Sequence, residues 1–372
     1  MNKPKLLFFV TEDYYFVSHR LPVALAARAA GYDVVVVTRV RDHGDIIRSS
    51  GLRAIPFEIA RSGLNPILEL RTLWRLIRLY RRERPQLVHH VAMKPMLYGS
   101  LAARAAGVPR VINAVAGMGW LFTSDNGLAR SLKTAVRKAL GLLLRAGIVV
   151  VQNPDDARLL AEFGVPASCI RCIAGSGVDL HQFRPQPAPD GMPVVVLPAR
   201  LLWDKGVGEF VAAARMLREG GVQARFVLAG EPDPVNPSSI TLAQVAAWTD
   251  EGVVEYRGWV SDMPSLLASS HIVCLPSYRE GLPKSLIEAA AAGRPIVTSD
   301  VPGCRDVVRD EDNGLLVPPR DAPALRDALA RLLGGRALCA AMGARGRMRA
   351  EQEFGLEAVI RQTLALYSEP IA

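Results

Sequence analysis

Short apolar runs alternate with helix-like stretches along almost the whole chain, and this alternation limits the possible folds more than any other feature. Strands that alternate with helices predict parallel sheets whose faces are covered by helices. In the first half, apolar runs predict strands at residues 5–10, 33–38, 53–57, 87–90, 110–113 and 148–152. Helices are predicted between them at residues 17–30, 43–50, 66–83, 94–106, 128–145 and 154–162. A half-buried strand is predicted at residues 169–173, where apolar and polar side chains alternate.

The same alternation starts again after a proline-rich interruption. Residues 183–193 contain repeated prolines and show no apolar period, which is typical of a linker. Beyond it, strands are predicted at residues 194–198, 224–229, 253–256, 272–275 and 295–298. A chain of 372 residues also exceeds what one hydrophobic core usually organises. We therefore predict an α/β protein with two Rossmann-like, doubly wound domains, at residues 1–183 and 193–355.

Charge distinguishes the two halves of the chain. Residues 1–185 carry 26 Lys and Arg against 13 Asp and Glu, whereas residues 186–372 carry 19 against 23. A charge on one half alone favours an anionic partner for that half. Nucleic acid is disfavoured as this partner, because no nucleic-acid-binding motif accompanies the charge.

Two predicted helices of the first half carry basic side chains at helical spacing. The first has Arg71, Arg75, Arg78 and Arg82, and the second has Arg130, Lys133, Arg137, Lys138 and Arg145. In the first helix Leu70, Leu73, Trp74, Ile77 and Tyr80 supply much of the apolar surface. Basic amphipathic helices are typical of proteins that bind membrane surfaces. An ordinary solvated helix face is the alternative interpretation.

Residues 276–293, with the sequence PSYREGLPKSLIEAAAAG, predict a turn followed by a helix that begins near Leu282. Pro283 suits a first helical position, where its missing N–H has no cost. The free N–H groups of the first turn and the helix dipole would then lie beside Glu280 and favour an anion. Glu288 follows inside an otherwise apolar helix, where a carboxylate without a partner is costly.

Polar residues gather where the predicted strands end. These clusters lie at residues 11–13, 89–94, 113–119, 200–205, 230–231 and 277–280. Open parallel sheets bind ligands outside the carboxyl ends of their strands, so these clusters are candidate binding sites. Arg200 and Lys205 flank one such turn, and a guanidinium and an ammonium at this spacing can converge on one diphosphate. The alternative for these two residues is a pair of solvated surface charges.

Three of these segments resemble motifs of one enzyme family. Glu280 and Glu288 match the E-x7-E motif of the family 4 retaining glycosyltransferases. Residues 200–206, RLLWDKG, resemble the family's R-x4-K diphosphate clamp, and residues 175–183, GSGVDLHQF, resemble its interdomain linker. The segment that begins at His89, HHVAMKPMLYGSLAARAAGVPRVINAVAGMGWLF, resembles a bacterial subgroup that extends sugars on undecaprenyl diphosphate.

The resemblance implies a fold and a division of labour between residues. The implied fold is GT-B, with two Rossmann-like domains, an interdomain cleft, and a final helix at residues 356–372 that packs back on the first domain. The implied donor-binding residues are Arg200, Lys205, Glu280, Gly281, Leu282 and Glu288. Arg200 and Lys205 would neutralise the diphosphate as charge develops on the leaving group. Glu280 would orient the transferred sugar, and Glu288 would accept hydrogen bonds from the ribose.

The chain departs from the family pattern in its first half. Family members often carry a glycine-rich loop after the first strand and a His near the end of the fifth strand. Residues 11–20 contain no Gly-Gly, and residues 113–119 contain no His. Candidate contacts to the acceptor or the sugar are therefore Asp13, His19, His90, Lys94 and Gly117.

No metal site is predicted from the sequence. Asp310 and Asp312 form one D-x-D, but they precede Asn313 and Gly314, which predict a hairpin turn rather than a metal site. We therefore expect a nucleotide sugar as substrate and no cofactor or metal.

The function expected from these observations is retaining glycosyl transfer. A hexose or N-acetylhexosamine would move from a UDP-sugar to a polyprenyl-diphosphate-linked saccharide in bacterial surface-glycan synthesis. No apolar stretch reaches the length of a membrane span, and the apolar run at residues 6–10 is too short for a signal peptide. We therefore expect a cytoplasmic enzyme whose basic domain binds the anionic inner face of the plasma membrane. The alternatives are a sugar-nucleotide 2-epimerase or hydrolase on the same fold, and a non-catalytic sugar-nucleotide-binding protein.

Overall fold

The computed structural model describes residues 3–59, 65–116, 137 and 139–369. Contacts divide the chain into two units, one formed by Met1–Ser176 with Val359–Ala372 and the other by Gly177–Ala358. The proline-rich stretch 183–193 belongs to the second unit. Val178 and Leu356 join the start of this unit to its end, because the Leu356 N–H donates to the Val178 carbonyl at 3.0 Å.

The first unit is built on a parallel sheet. Its strands are β1 (Lys5–Glu12), β2 (Asp33–Arg39), β3 (Arg53–Pro56), β4 (Leu87–Val91), β5 (Arg110–Ala114), β6 (Ile148–Val151) and β7 (Ile170–Cys172). They lie in the order β3-β2-β1-β4-β5-β6-β7, and every recorded pairing is parallel. This topology confirms the predicted doubly wound sheet.

The described helices of the first unit cover both faces of this sheet. They are α1 (Asp13–His19), α2 (Leu21–Ala29), α3 (Gly44–Ser49), α4 (Pro66–Glu83), α5 (Met93–Ala106) and α6 (Pro154–Glu162). The prediction of a single helix at residues 17–30 is wrong, because the helix is interrupted at Arg20, whose φ of −126° lies outside the helical region. Pro22 follows in α2 and has no N–H with which to continue a helix from α1. Much of the helix predicted at residues 128–145 lies outside the described residues.

Successive residues of β1 pack on opposite faces of the first sheet. Leu6 and Phe8 belong to one apolar cluster, and Leu7 and Phe9 belong to another. The first cluster includes Val359, Leu366 and Tyr367 from the helix Leu356–Ser368, and the second includes Leu76, Leu79 and Tyr80 from α4. The last helix of the chain therefore packs against the first unit.

The second unit repeats the parallel architecture. Its strands are β8 (Val194–Pro198), β9 (Arg225–Ala229), β10 (Glu255–Tyr256), β11 (Ile272–Leu275), β12 (Ile296–Ser299) and β13 (Gly314–Val317). They lie in the order β10-β9-β8-β11-β12-β13. The helices that follow α6 are α7 (Val207–Glu219), α8 (Leu242–Asp250), α9 (Met263–Ala268), α10 (Lys284–Ala291), α11 (Cys304–Val307), α12 (Ala322–Leu333), α13 (Arg336–Arg349) and α14 (Leu356–Ser368). Within the described residues, no helix combines the length and the apolar character needed to cross a bilayer.

Two local predictions for the second unit are wrong. Helix α10 begins at Lys284 rather than near Leu282, because Pro283 has an extended conformation (φ −69°, ψ 118°) and is the N-cap rather than the first helical residue. The hairpin predicted at residues 313–314 is absent from the described structure. Gly314 instead begins β13, which pairs in parallel with β12.

Candidate active site

Lys205 and Glu280 meet at the carboxyl edge of the second sheet. Lys205 ends a 3-10 turn that follows β8, and Glu280 lies in the loop that follows the neighbouring strand β11. The Lys205 Nζ lies 2.5 Å from Glu280 Oε1. The Ser277 hydroxyl donates to the same oxygen at 2.7 Å. The structure therefore joins three polar residues from two separate loops into one cluster.

Two glycines allow the loops of this cluster to approach closely. Gly206 has a φ of +71°, and a Cβ added there would lie 2.1 Å from the Pro276 carbonyl oxygen. Gly303 has a φ of +84°, and its Cβ would lie 2.7 Å from the carbonyl of Glu280. A side chain at either position would strain its backbone and separate the loops. Gly206 therefore allows the turn that carries Lys205 to approach the loop of Glu280, and Gly303 allows the loop after β12 to approach Glu280 itself.

Arg200 lies in the same β8 turn as Lys205 but contacts a different carboxylate. Its Nη1 is 2.8 Å from Asp233 Oδ2, and its side chain is about half exposed. The two predicted clamp cations are thus at one edge of the sheet, each beside an acidic group. Asp233 was not among the predicted site residues, because the spacing of EPDP at residues 231–234 does not indicate an ion pair with Arg200.

Helix α10 begins beside the Lys205–Glu280 contact. Gly281 and Leu282 precede it, and its first intrahelical acceptor is the Pro283 carbonyl, which accepts from the N–H groups of Leu286 and Ile287. At the start of a helix the N–H groups point away from the body of the helix, and the helix dipole makes this end positive. A helix start of this kind, next to a lysine, is suited to an anionic group such as phosphate.

Glu288 lies within α10 and is only 7% exposed. Burial raises the pKa of this carboxyl, and the nearby Lys284, whose Nζ is 3.4 Å away, only partly offsets that effect. A buried carboxylate among alanines is costly for stability. Arg294, which follows the end of α10, donates to the carbonyls of Ala268 and Pro187.

Tyr278 and Glu209 brace the loop that carries Glu280. The Tyr278 hydroxyl donates to Glu209 Oε1 at 2.7 Å, and the Tyr278 N–H donates to the Asp204 carbonyl at 2.9 Å. The Arg320 guanidinium lies 4.5 Å from the centre of the Tyr278 ring. The hydrogen bond between Tyr278 and Glu209 was not predicted from the sequence, because the two residues lie 69 positions apart.

The structure gives Asp13 a bracing role in the first unit. Its buried carboxylate accepts the backbone N–H groups of Tyr14 at 2.8 Å, Arg41 at 2.5 Å and His43 at 3.1 Å. These contacts join the end of β1 to the loop after β2. These three hydrogen bonds explain why a carboxylate is buried at Asp13.

His90 is also placed in the interior of the first unit. Its Nδ1 lies 2.8 Å from Asn113 Oδ1, and its Nε2 lies 3.1 Å from the Tyr80 hydroxyl. Burial lowers the pKa of His90 to about 4, so the ring is neutral near pH 7. A neutral, enclosed imidazole is unlike a surface contact to an acceptor sugar.

The remaining candidates of the first unit that the structure describes, His19 and Lys94, contact different partners. His19 stacks on Tyr15 with ring centres 4.1 Å apart. Lys94, near the start of α5, lies 2.8 Å from Glu69 Oε1. Gly117 lies outside the described residues.

Two family models match the chain, one in each unit. The model described as "Glycosyl transferase 4-like" matches residues 5–153, and the model described as "Glycosyl transferases group 1" matches residues 192–334. These matches agree with the motifs at residues 200–206 and 280–288.

Curated relatives belong to the same class of enzyme. The chain is 30% identical over 334 residues to N,N'-diacetylbacillosaminyl-diphospho-undecaprenol alpha-1,3-N-acetylgalactosaminyltransferase from Campylobacter jejuni, with 86% of each chain covered. It is 26% identical to UDP-Gal:alpha-D-GlcNAc-diphosphoundecaprenol alpha-1,3-galactosyltransferase from Escherichia coli, with 73% of this chain and 72% of that protein covered.

Solved structures share the fold over nearly the full length. Sucrose-phosphate synthase from Thermosynechococcus elongatus gives a TM-score of 0.81 at 23% identity and covers 98% of both chains. Anabaena HepE in complex with UDP-glucose gives a TM-score of 0.78 at 16% identity, with 98% of this chain and 99% of that chain covered. The predicted fold and family are thereby confirmed, and the chain belongs to the family 4 glycosyltransferases of the GT-B fold.

Proposed function

We propose that this glycosyltransferase moves a hexose or N-acetylhexosamine from a UDP-sugar to a polyprenyl-diphosphate-linked saccharide, with retention, in bacterial surface-glycan synthesis. The observation that carries the proposal is the contact between Lys205 and Glu280 beside the start of α10. Two relatives support the substrate classes, because their names specify undecaprenyl-diphosphate-linked saccharides and, for one of them, a UDP-sugar. That this chain uses the same classes of donor and acceptor is part of the proposal.

The donor diphosphate would bind where positive charge is concentrated. Lys205, Arg200 and the N–H groups at the start of α10 lie at the carboxyl edge of the second sheet. As the bond to the sugar breaks, negative charge grows on the diphosphate, and fixed positive groups stabilise it more in the transition state than in the ground state. We propose that these groups neutralise the leaving group and that no further cofactor or metal is required.

The two glutamates would contact other parts of the donor. Glu288 is buried and ionisable, and its carboxylate would accept hydrogen bonds from the donor ribose hydroxyls. Glu280 would orient the transferred sugar, and the Ser277 hydroxyl, which donates to its carboxylate, would help to hold it in position. We propose that the departing phosphate accepts the proton of the acceptor hydroxyl on the same face of the sugar.

The first unit would bind the membrane surface through α4. Four large apolar side chains near the start of this helix are exposed: Ile67 (63%), Leu68 (56%), Leu70 (66%) and Trp74 (57%). The five apolar residues predicted for this helix do not all lie on one exposed surface. Leu70 and Trp74 are exposed, whereas Tyr80 is buried. Exposed basic residues accompany them, and Arg78 lies over the Trp74 ring at 4.6 Å. An apolar patch flanked by arginines is suited to an anionic bilayer surface.

A product assay tests the proposed reaction. The purified full chain is incubated with UDP-Gal, UDP-Glc, UDP-GalNAc or UDP-GlcNAc, with and without a polyprenyl-diphosphate-linked N-acetylhexosamine acceptor, and products are identified by mass spectrometry. The proposal predicts a lipid product one sugar longer with at least one donor, and an α-configured new linkage by NMR. An altered sugar nucleotide in the absence of acceptor would instead support the epimerase alternative. Donor binding without any lipid product would support the non-catalytic alternative.

A further inference from the structure

A pocket lies at the opposite edge of the second sheet from the candidate active site. Its walls include His271 and Ile272 at the start of β11 and Pro295 just before β12, and its volume is about 470 Å³. The strands are parallel, so their amino ends lie across the sheet from the loops that carry Lys205 and Glu280. At about 3.3 Å per residue, four-residue strands separate the two edges by roughly 10–15 Å. We call this cavity the amino-edge pocket.

The lining of the amino-edge pocket is largely apolar but carries only positive charge. Its apolar wall includes Ile272, Leu332, Leu333 and several prolines. Its ionisable lining residues are His271, Arg294, Arg336, Cys339 and Arg347, and no Asp or Glu occurs among the described residues that line it. The volume is in the ordinary range for small-molecule sites, which are roughly 300–1,000 Å³. Shape and charge together therefore favour a small anionic ligand with an apolar part.

Arg294 is the strongest indication that the pocket suits an anion. It is only 3% exposed, and within the described residues its Nε has no hydrogen-bond partner. Its Nη2 donates to the carbonyls of Ala268 at 2.9 Å and Pro187 at 3.3 Å, neither of which neutralises the charge. Burial also lowers the pKa of this guanidinium. A buried cation without a carboxylate is costly unless another anion is supplied.

Arg336 provides a second and more accessible cation. It is the first residue of α13, so the positive end of that helix dipole lies beside it. Its side chain is exposed, and in the described part of the chain no ion pair involves it. Arg347, in contrast, is already engaged by Glu351 and by the carbonyls of Phe183 and Ala291. Arg336 and Arg294 are therefore the two cations left for a ligand.

The other wall of the pocket is a fixed proline-rich strap, residues 185–189. The Val194 N–H donates to His271 Nδ1 at 3.0 Å, so His271 Nε2 carries the proton and donates to the Pro189 carbonyl at 2.9 Å. Arg294 holds the Pro187 carbonyl in the same way. Both contacts hold the strap against the rest of the second unit, so the pocket is preformed.

We propose that the amino-edge pocket binds a small amphipathic anion, whose single carboxylate or phosphate contacts Arg336 and Arg294 and whose apolar part packs on Ile272, Leu332 and Leu333. This site is separate from the donor site, and its ligand class differs from the sugar nucleotide of the proposed reaction.

Calorimetric titration of the full chain tests the proposal with four ten-carbon probes, each below its micelle concentration. Decanoate and decyl phosphate carry the two anionic heads, decanol is neutral, and decylammonium is cationic. At least one anionic probe is expected to bind at least about tenfold more tightly than decanol, because it gains a charged hydrogen bond. The tighter of the two anions identifies the head group. Equal binding of decanol, or no binding of either anion, would overturn the proposal.

Variants locate the binding in the pocket. Arg336→Glu is expected to weaken binding of the preferred anion at least about tenfold, since it reverses the accessible charge. Ala340→Trp is expected to abolish binding by filling the cavity. Arg361→Glu is the matched control, because Arg361 is an exposed arginine of α14 that does not line the pocket. This variant should bind the preferred anion with the affinity of wild type. Unchanged binding in both pocket variants would overturn the assignment.

Thiol modification provides a readout that needs no variant. Cys339 lines the pocket, whereas Cys172 is exposed on β7. Saturation with the preferred anion is expected to slow maleimide modification of Cys339 several-fold and to leave Cys172 unaffected, as measured by peptide mass spectrometry. An unchanged Cys339 rate, or displacement of the anion by UDP, would show that the probe binds elsewhere and contradict the proposal. Neither outcome depends on whether the product assay succeeds.

Discussion

Lys205 Nζ and Glu280 Oε1 lie 2.5 Å apart and join the loops after two neighbouring strands. A donor diphosphate placed at the start of α10 would compete with Glu280 for this lysine. The carboxylate would then be released toward the sugar while the ammonium moves to the phosphate. Under the proposed function, the pair would hold both side chains in position before the donor binds.

The variant Glu280→Gln tests this competition. We expect the rate of transfer to fall about 100-fold or more, because the group that orients the sugar loses its charge. UDP should bind at least as tightly as in wild type, because Lys205 no longer has a competing carboxylate. Steady-state kinetics and calorimetry with UDP measure the two effects separately. A parallel loss of UDP affinity would contradict the role given to Glu280.

The variant Glu288→Gln is expected to be more stable than wild type but less active. Burial raises the pKa of Glu288, so the unfolded carboxyl ionises at lower pH than the folded one. The free energy of unfolding of wild type therefore falls as pH rises above about 4.5 through the folded pKa, and glutamine removes that loss. We expect a gain of about 0.5–2 kcal/mol at pH 7.5 and little gain at pH 4.

Denaturant unfolding at the two pH values measures the stability, and transfer assays measure the activity. Activity should fall because the neutral amide is a poorer acceptor for ribose hydroxyls. A variant that is as active as wild type would show that Glu288 does not contact the donor. A gain at pH 4 as large as at pH 7.5 would contradict the electrostatic origin of the stability change.

The variant Tyr278→Phe removes the brace of the Glu280 loop. Burial raises the pKa of Tyr278 to about 12, so its hydroxyl stays protonated at assay pH and donates to Glu209. Loss of this bond is expected to lower the free energy of unfolding by about 1–3 kcal/mol and kcat by about tenfold. Thermal unfolding and kinetics measure both. Tyr32→Phe is the control, and wild-type kcat in Tyr278→Phe would show that the loop needs no brace.

The double variant Leu70→Ser/Trp74→Ser tests the membrane surface of α4. We expect binding to phosphatidylglycerol vesicles to weaken at least about tenfold, because each apolar side chain contributes about 1.5–3 kcal/mol when buried. Wild-type binding should also fall with added salt, since Arg71, Arg75 and Arg78 contribute electrostatically. Co-sedimentation measures both effects. The control Leu101→Ser, at another exposed leucine, should bind the vesicles like wild type. If the double variant also binds like wild type, α4 does not contact the membrane.

Local patterns in the sequence were enough to predict most of the helices and strands of the fold. Helices α4 and α6 agree with their predicted bounds, because Asn65 and Asn153 cap their N-termini and a proline follows each cap. The break at Arg20 and the cap at Pro283 were missed, since both depend on a single backbone angle that apolar periodicity does not report. Boundaries of this kind are set by local backbone geometry rather than by burial.

The candidate site was predictable only in part. Motif spacing identified Lys205 and Glu280, but their contact spans two loops and depends on the pairing of β8 with β11. The distant partners of Asp13 and His90 were not predictable, because they come from the loop after β2, from α4 and from β5. Sequence indicates which residues are chemically unusual, whereas the tertiary fold decides which of them are already paired.

Calorimetric titration of UDP into Lys205→Ala tests whether Lys205 binds the donor diphosphate, with Lys3→Ala as the control at an exposed lysine. We expect Lys205→Ala to keep its thermal unfolding transition and to bind UDP at least about tenfold more weakly than wild type, because the ammonium contact to the diphosphate is lost. Lys3→Ala should match wild type. UDP affinity that is the same in Lys205→Ala and wild type would contradict the placement of the donor diphosphate at this site.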